Sequence, residues 1–145
     1  CTNRNLAAVQ GDAIHYLTAQ PAESYNMITG FQIVEHIDSD HLLQVLKETK
    51  RVLKPDGIAI FETPNPENLI VGACNFYMDP THIRPIPPAR LQFFAQSCGF
   101  KKVDILRVNP YGAIGLQDAE NPSRTEREMA KFFNNEADYA IIAYK

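Results

Sequence analysis

Two short apolar runs on either side of one amphipathic helix constrain this chain most. The first, Tyr25-Asn26-Met27-Ile28-Thr29, has the length of a buried strand and breaks at Gly30. The second, Ile58-Ala59-Ile60-Phe61, is continuously apolar, as strands buried on both faces of a parallel sheet are. Between them, Leu42, Val45, Leu46, Thr49, Val52 and Leu53 recur at spacings of three and four and form one helical face. Asp38-Ser39-Asp40 supplies N-cap candidates, and Lys50, Arg51 and Lys54 crowd the last turns, where cations suit the macrodipole. Pro55-Asp56-Gly57 stops the helix.

The flanks continue the alternation. Leu6-Ala7-Ala8-Val9-Gln10 reads as a strand, Gly11-Asp12-Ala13 as the turn after it, and Ile14, Leu17 and Thr18 as one face of a helix ended by Pro21. Residues 64–88 hold six of the ten prolines, with a short helical piece near 68–74. A loop this long inside a domain is usually a lid or binding loop. Pro88 suits the first turn of a helix carrying Leu91, Phe94, Ala95 and Cys98, with Gly99 as its stop. A strand over 103–108, a loop over 109–122, a capping box at Ser123-Arg124-Thr125-Glu126 opening a helix through Phe133, and a strand over 139–144 complete the chain. The pattern predicts a three-layer α/β/α fold with an antiparallel edge in one domain over residues 1–145.

Composition sets bounds on partners. At 145 residues, 45% apolar and 21% charged, the chain can build a real core and is too apolar for disorder. A net charge of −3 with no basic run gives no reason to expect nucleic acid or an anionic membrane as partner. No apolar run approaches the ~20 residues of a membrane span, and no signal peptide is recognisable. Cys1, Cys74 and Cys98 are odd in number and widely spaced, which fits a reducing cytoplasm better than a disulfide framework. A start at Cys1 rather than Met reads as a chain cut from something longer.

Glu35 and His36 sit just past the end of the 25–29 strand. Open α/β sheets hold ligands at the carboxyl ends of their strands, so chemistry is expected there. The competing reading is that His36 caps the next helix or packs under the lid.

The order of motifs resembles the C-terminal two-thirds of a class I S-adenosylmethionine-dependent methyltransferase. Leu53-Lys54-Pro55-Asp56-Gly57 running into Ile58–Phe61 is similar to that family's turn into its fifth strand. Gly11-Asp12-Ala13 resembles the turn after the third strand, which implies that Asp12 takes the adenine amino group. Ile28 to Ile37 resembles the fourth strand and the loop under the methionine end of the cofactor, which implies cofactor contacts at Gly30, Phe31 and Gln32. Residues 62–68 and 76–82 are similar to methyltransferases of bacterial cell-surface polysaccharide clusters, which implies a hydroxyl acceptor on a small molecule or glycan. Some hydroxyl methyltransferases carry Glu-x-x-Glu-His after the fourth strand, with a lid histidine, and hold a magnesium ion (Mg2+). Here Gln32 replaces the first Glu, leaving Glu35, His36 and His82 as metal ligands or, without metal, a histidine as general base.

One departure is large. The seven glycines form no GxGxG turn, and the family's first two strands have no counterpart. The resemblance implies a Rossmann-like sheet of order 3-2-1-4-5-7-6, incomplete here. The chain alone is therefore expected to bind S-adenosylmethionine weakly or not at all. Its unpaired strand edge is expected to be re-paired, exchanged in a homodimer, or completed by the missing half. The rival expectation is a non-catalytic docking or dimerisation module on the same scaffold.

Overall fold

The computed structural model describes residues 7–111 and 121–145. Four strands form one mixed sheet: β1 (Tyr25–Phe31), β2 (Leu53–Pro64), β3 (Lys102–Val108) and β4 (Asp138–Tyr144), in the order β1-β2-β4-β3. β1 and β2 are parallel, and β4 runs antiparallel to β2 and β3. This matches the 4-5-7-6 part of the expected order, and β1 ends the sheet where further strands were expected.

The crossover helix α2 (Ser39–Val52) is capped by Asp38, whose carboxylate accepts from the Asp40 and His41 amides. Its Leu42, Val45 and Leu46 pack with Leu91 and Ala95 of α4 (Pro88–Ser97) against Ala59, Phe61, Ile141 and Ala143. Each of the larger side chains among them contributes roughly 1.5–3 kcal/mol by leaving water. α1 (Ala13–Ala19) lies beside α2, with Asp12 as its N-cap. Arg51 of α2 donates to the carbonyls of Leu17 and Gln20, closing the end of α1. α3 (Leu69–Ala73) lies within the 64–88 segment and touches α5 (Arg124–Phe133), and Ser123 and Glu126 form the expected capping box. No helix among the described residues is long and apolar enough to cross a membrane.

The opposite sheet face is the incomplete one. Met27 and Leu106 are exposed, and Ile58, Ile60 and Ile142 are only half-buried. The expected burial of 58–61 on both faces is therefore corrected: Ala59 and Phe61 are covered and their neighbours are not. A helical layer covers the first face, so alternate residues differ.

Other expectations also change. In the expected 6–10 strand, Leu6 lies outside the described residues, while 7–10 are exposed and belong to no strand. A strand needs a neighbour for its backbone groups, and the expected one is not in this sequence. Gly30 does not break β1; it pairs with Phe61 inside the sheet. A Cβ there would lie 2.8 Å from Phe61 Cδ1 and 2.7 Å from Ile33 Cδ1, so packing requires the glycine. Pro55-Asp56-Gly57 lies within β2 as a bulged turn, because the ladder jumps from Tyr25–Leu53 to Met27–Ile58. Phe93 and Cys74 are exposed, whereas Cys98 is half-buried and burial pushes its thiol up. Residues 112–120 of the expected 109–122 loop lie outside the described residues.

Candidate functional site

At the carboxyl end of β1 the chain turns at Gln32, whose φ is 53°. A non-glycine residue there costs about 1–2 kcal/mol. Two bonds hold it: its amide donates to Glu62 O, and its Nε2 donates to Asp138 Oδ1 at 3.1 Å. This turn drops the chain into a single 3₁₀ turn, Val34–His36, with Val34 and Glu35 buried.

Glu35 is fully buried. Its Oε2 accepts from Thr63 Oγ1 at 2.8 Å, at the end of β2. Its Oε1 has no hydrogen-bond partner among the described residues. His36 Nε2 lies 3.9 Å from that oxygen and His82 Nε2 lies 4.0 Å from it. Both distances exceed a hydrogen bond. His82 Nε2 is also 3.9 Å from Asp79 Oδ2.

The neighbours fix both imidazoles. His82 Nδ1 sits 2.6 Å from Phe76 O, and a carbonyl only accepts, so Nδ1 carries the hydrogen. Thr81 Oγ1 donates to Asp79 Oδ1 at 2.6 Å and therefore accepts from His36 Nδ1 at 2.9 Å. In the neutral rings, both Nε2 lone pairs are left for the space around Glu35 Oε1. Bonds from the Thr81 hydroxyl and amide hold the Asp79 carboxyl below the usual carboxylate range. Burial pushes the Tyr139 phenol up, with the Glu35 charge adding to it.

The lid over 64–88 is tied down. Ile83 N donates to Glu35 O, Tyr139 Oη donates to Ile86 O, and Arg84 donates to Ser39 Oγ. Arg84 is thus engaged with the start of α2. Tyr77 remains 65% exposed. A cavity of about 170 Å³ lies beside His82, walled by Phe76, Asn75, Tyr111 and Pro64.

The residues expected at a cofactor fall along the open edge of β1. Gly11, Asp12 and Ala13 line a hollow of about 330 Å³ with Ala7, Val9 and Tyr16. A second, apolar groove of about 270 Å³ runs from Ala13 and Tyr16 past Met27 and Thr29 to Ile33. Asp12 uses Oδ1 to cap α1 through the His15 amide, and the residue stays exposed. Phe31 is 56% exposed, while Gly30 is buried under Phe61 and Ile33. The structure therefore gathers Glu35, His36 and His82 tightly, and spreads Gly11–Ala13 and Gly30–Gln32 along an edge.

Sequence reasoning missed Thr63, Asp79 and Thr81 as members of the cluster. Asp79 carried a local signal, since Asp-Pro-Thr is a pattern in which the carboxylate turns back on the amide two residues on. Thr63 carried none, because its contact to Glu35 spans strands.

A family described as "Methyltransferase domain" matches residues 3–105. The demethylmenaquinone methyltransferase of Lactobacillus johnsonii is 34% identical, over 73% of this chain and 51% of that protein. A protein of Mycolicibacterium smegmatis named "probable S-adenosylmethionine-dependent methyltransferase" is 31% identical, over 70% of this chain and 38% of that protein. The crystal structure of a SAM-dependent methyltransferase from Archaeoglobus fulgidus superposes with a TM-score of 0.82 at 31% identity, over 94% of this chain and 66% of that one. The chain thus spans about half or less of the curated relatives it matches.

Proposed function

The chain belongs to the methyltransferase-domain family, and from that premise we propose that it is the acceptor side of an enzyme moving a methyl group from S-adenosylmethionine to a hydroxyl. The observation that carries this reading is the convergence of Glu35 Oε1, His36 Nε2 and His82 Nε2 beside the end of β1. The acceptor oxygen bonds the methyl carbon as the carbon–sulfur bond breaks. S-adenosylhomocysteine leaves, and the hydroxyl proton passes to a group of the cluster. Most of the acceleration comes from holding oxygen, carbon and sulfur in line.

In this reading Asp12 receives the adenine through its second oxygen, and Phe31 and Gln32 border the methionine end. The glycine-rich loop absent from this sequence supplies the other wall, so the chain alone binds cofactor weakly. A small molecule or sugar bearing a hydroxyl enters past Tyr77. Magnesium is a poor match for the cluster, since two of its three facing donors are imidazole nitrogens and hard cations select oxygen.

The test uses the whole protein with S-adenosylmethionine labelled in its methyl group and a panel of hydroxyl acceptors. His36→Ala and His82→Ala are expected to lower kcat by roughly 10²–10⁴ while leaving the KM for S-adenosylmethionine in place. Full rates in both variants would remove the cluster from the reaction. A second reading, docking or homodimerisation, is favoured by the outer edge of β1, which is unpaired among the described residues. Sedimentation of the chain decides it, a concentration-dependent dimer being the supporting result and a monomer at all concentrations the opposing one.

A further inference from the structure

We propose that Glu35, His36 and His82 form a binding site for one divalent transition-metal ion of the zinc class, using Oε1 and the two Nε2 atoms. The inference deepens the reading of this cluster as the acceptor side of the site and rests on it.

Three observations point the same way. First, Glu35 is entirely buried, yet one of its oxygens has no hydrogen-bond donor among the described residues. Such an atom calls for a partner that the side chains do not provide. Second, the two imidazoles stop 3.9 and 4.0 Å from that oxygen, too far for a hydrogen bond. Three potential ligand atoms, one per residue, lie within 4.8 Å of one another. An ion held tetrahedrally about 2.1 Å from each donor keeps neighbouring donors about 3.4 Å apart, so the two distances from Glu35 close by about half an ångström and no pair of donors by more than about 1.4 Å. Third, the outer bonds set the correct tautomer in advance. Phe76 O and Thr81 fix each Nδ1–H, as partners behind metal-bound histidines do, and Thr63 fixes the free orientation of the carboxylate.

The donor set selects among ions. Two imidazole nitrogens with one carboxylate suit zinc, cobalt or iron, whereas magnesium takes oxygen and water. Asp79, whose Oδ2 is 3.9 Å from His82 Nε2, supplies a second negative charge beside the three donors. With Glu35 it balances a divalent cation. The remaining positions of the ion are left for water or an acceptor oxygen.

The experiment is titration of the full chain, first freed of metal with a chelator, with Co(II) and then with Zn(II) and Mg(II). A visible absorption band saturating at one Co(II) per chain, displaced by Zn(II) but not by excess Mg(II), is the expected result. His82→Ala and His36→Ala are expected to abolish the band, and Thr63→Val to weaken binding by roughly 10–100-fold. His41→Ala, which alters only a surface histidine, is expected to leave it intact. Circular dichroism melts confirm that each variant is folded. No band in the unsubstituted protein, or a band that survives both histidine variants, would overturn the site. S-adenosylhomocysteine binding and methyl transfer by the whole protein are measured in parallel. Their loss with the band retained counts against the transferase reading, and the reverse counts against the metal.

Discussion

The middle of the sheet and its β1 edge differ sharply. In the middle of the sheet β2 and β4 are paired along both edges, Phe61 and Ile141 are fully enclosed, and the 64–88 segment is fastened by buried side chains. On the β1 side the outer edge is unpaired among the described residues, Met27 and Phe31 face solvent, and residues 7–10 are exposed and belong to no strand. The tight Glu35–His36–His82 cluster sits where β1 and β2 end, held by Thr63 and the 64–88 segment, and the open edge holds the residues expected at a cofactor. The asymmetry teaches that a tight side-chain cluster can be assembled by local packing here, while a crevice along the sheet edge needs a second wall.

The largest test pairs one residue from each side. Phe61→Ala empties a fully buried site and is expected to cost about 3–5 kcal/mol in urea unfolding. Met27→Ala, on the open edge, is expected to change stability by no more than about 0.5 kcal/mol. Equal losses would mean that the edge is covered and the contrast is wrong.

The next test addresses the lid. Asn68 is fully buried, accepts from the Ile70 and Val71 amides, and donates to Asn135 O at 2.6 Å. It caps α3 and ties the lid to the segment before β4 at once. Asn68→Ala is expected to cost about 2 kcal/mol and to speed proteolysis within residues 64–88. A melting curve and a cleavage map like those of the unsubstituted chain would show that the lid is held elsewhere.

What could be read in advance follows the same division. α2, α4 and the capping box before α5 are written in local spacing, so the periodic pattern placed them to within a residue or two. Glu35 and His36 were legible because a strand end is a local feature and sheets bind ligands there. The role of Gly30 was not, because it depends on Phe61, a partner thirty residues away that fills the missing Cβ. The same holds for Thr63 and its bond to Glu35. The 6–10 strand failed for a different reason: its residues favour a strand, but a strand forms only beside another.

A smaller effect lies between the two sides, where Arg51 joins α2 to the end of α1. Its guanidinium bonds Leu17 O at 2.8 Å and Gln20 O at 3.0 Å, and pairs with Glu48. Arg51→Met keeps most of the stem and removes the bonds. The expected loss is about 1 kcal/mol, with faster amide exchange confined to residues 13–20. Exchange rising equally across the sheet would show that α1 is not separately anchored.

The smallest effect is a pH dependence at the entry to α2. Asp38 Oδ2 lies 2.6 Å from His41 Nδ1, and both side chains are exposed. Hydrogen bonds from His41 hold the Asp38 carboxyl below its ordinary 3.8, and the bond to Asp38 raises the His41 imidazole above its ordinary 6.5. A raised histidine stabilises the fold fully below its unfolded value and loses that contribution as pH rises through the folded one. A lowered carboxylate contributes above its unfolded value and loses its share as pH falls through the folded one. The pair therefore adds most at about pH 5, between the two. Asp38→Asn keeps a capping oxygen and removes the charge. Its stability deficit is expected to peak there, shrink toward alkaline pH and shrink again in acid. A deficit constant across the range would mean that only the cap matters, and that the charges on this exposed turn contribute nothing to how α2 begins.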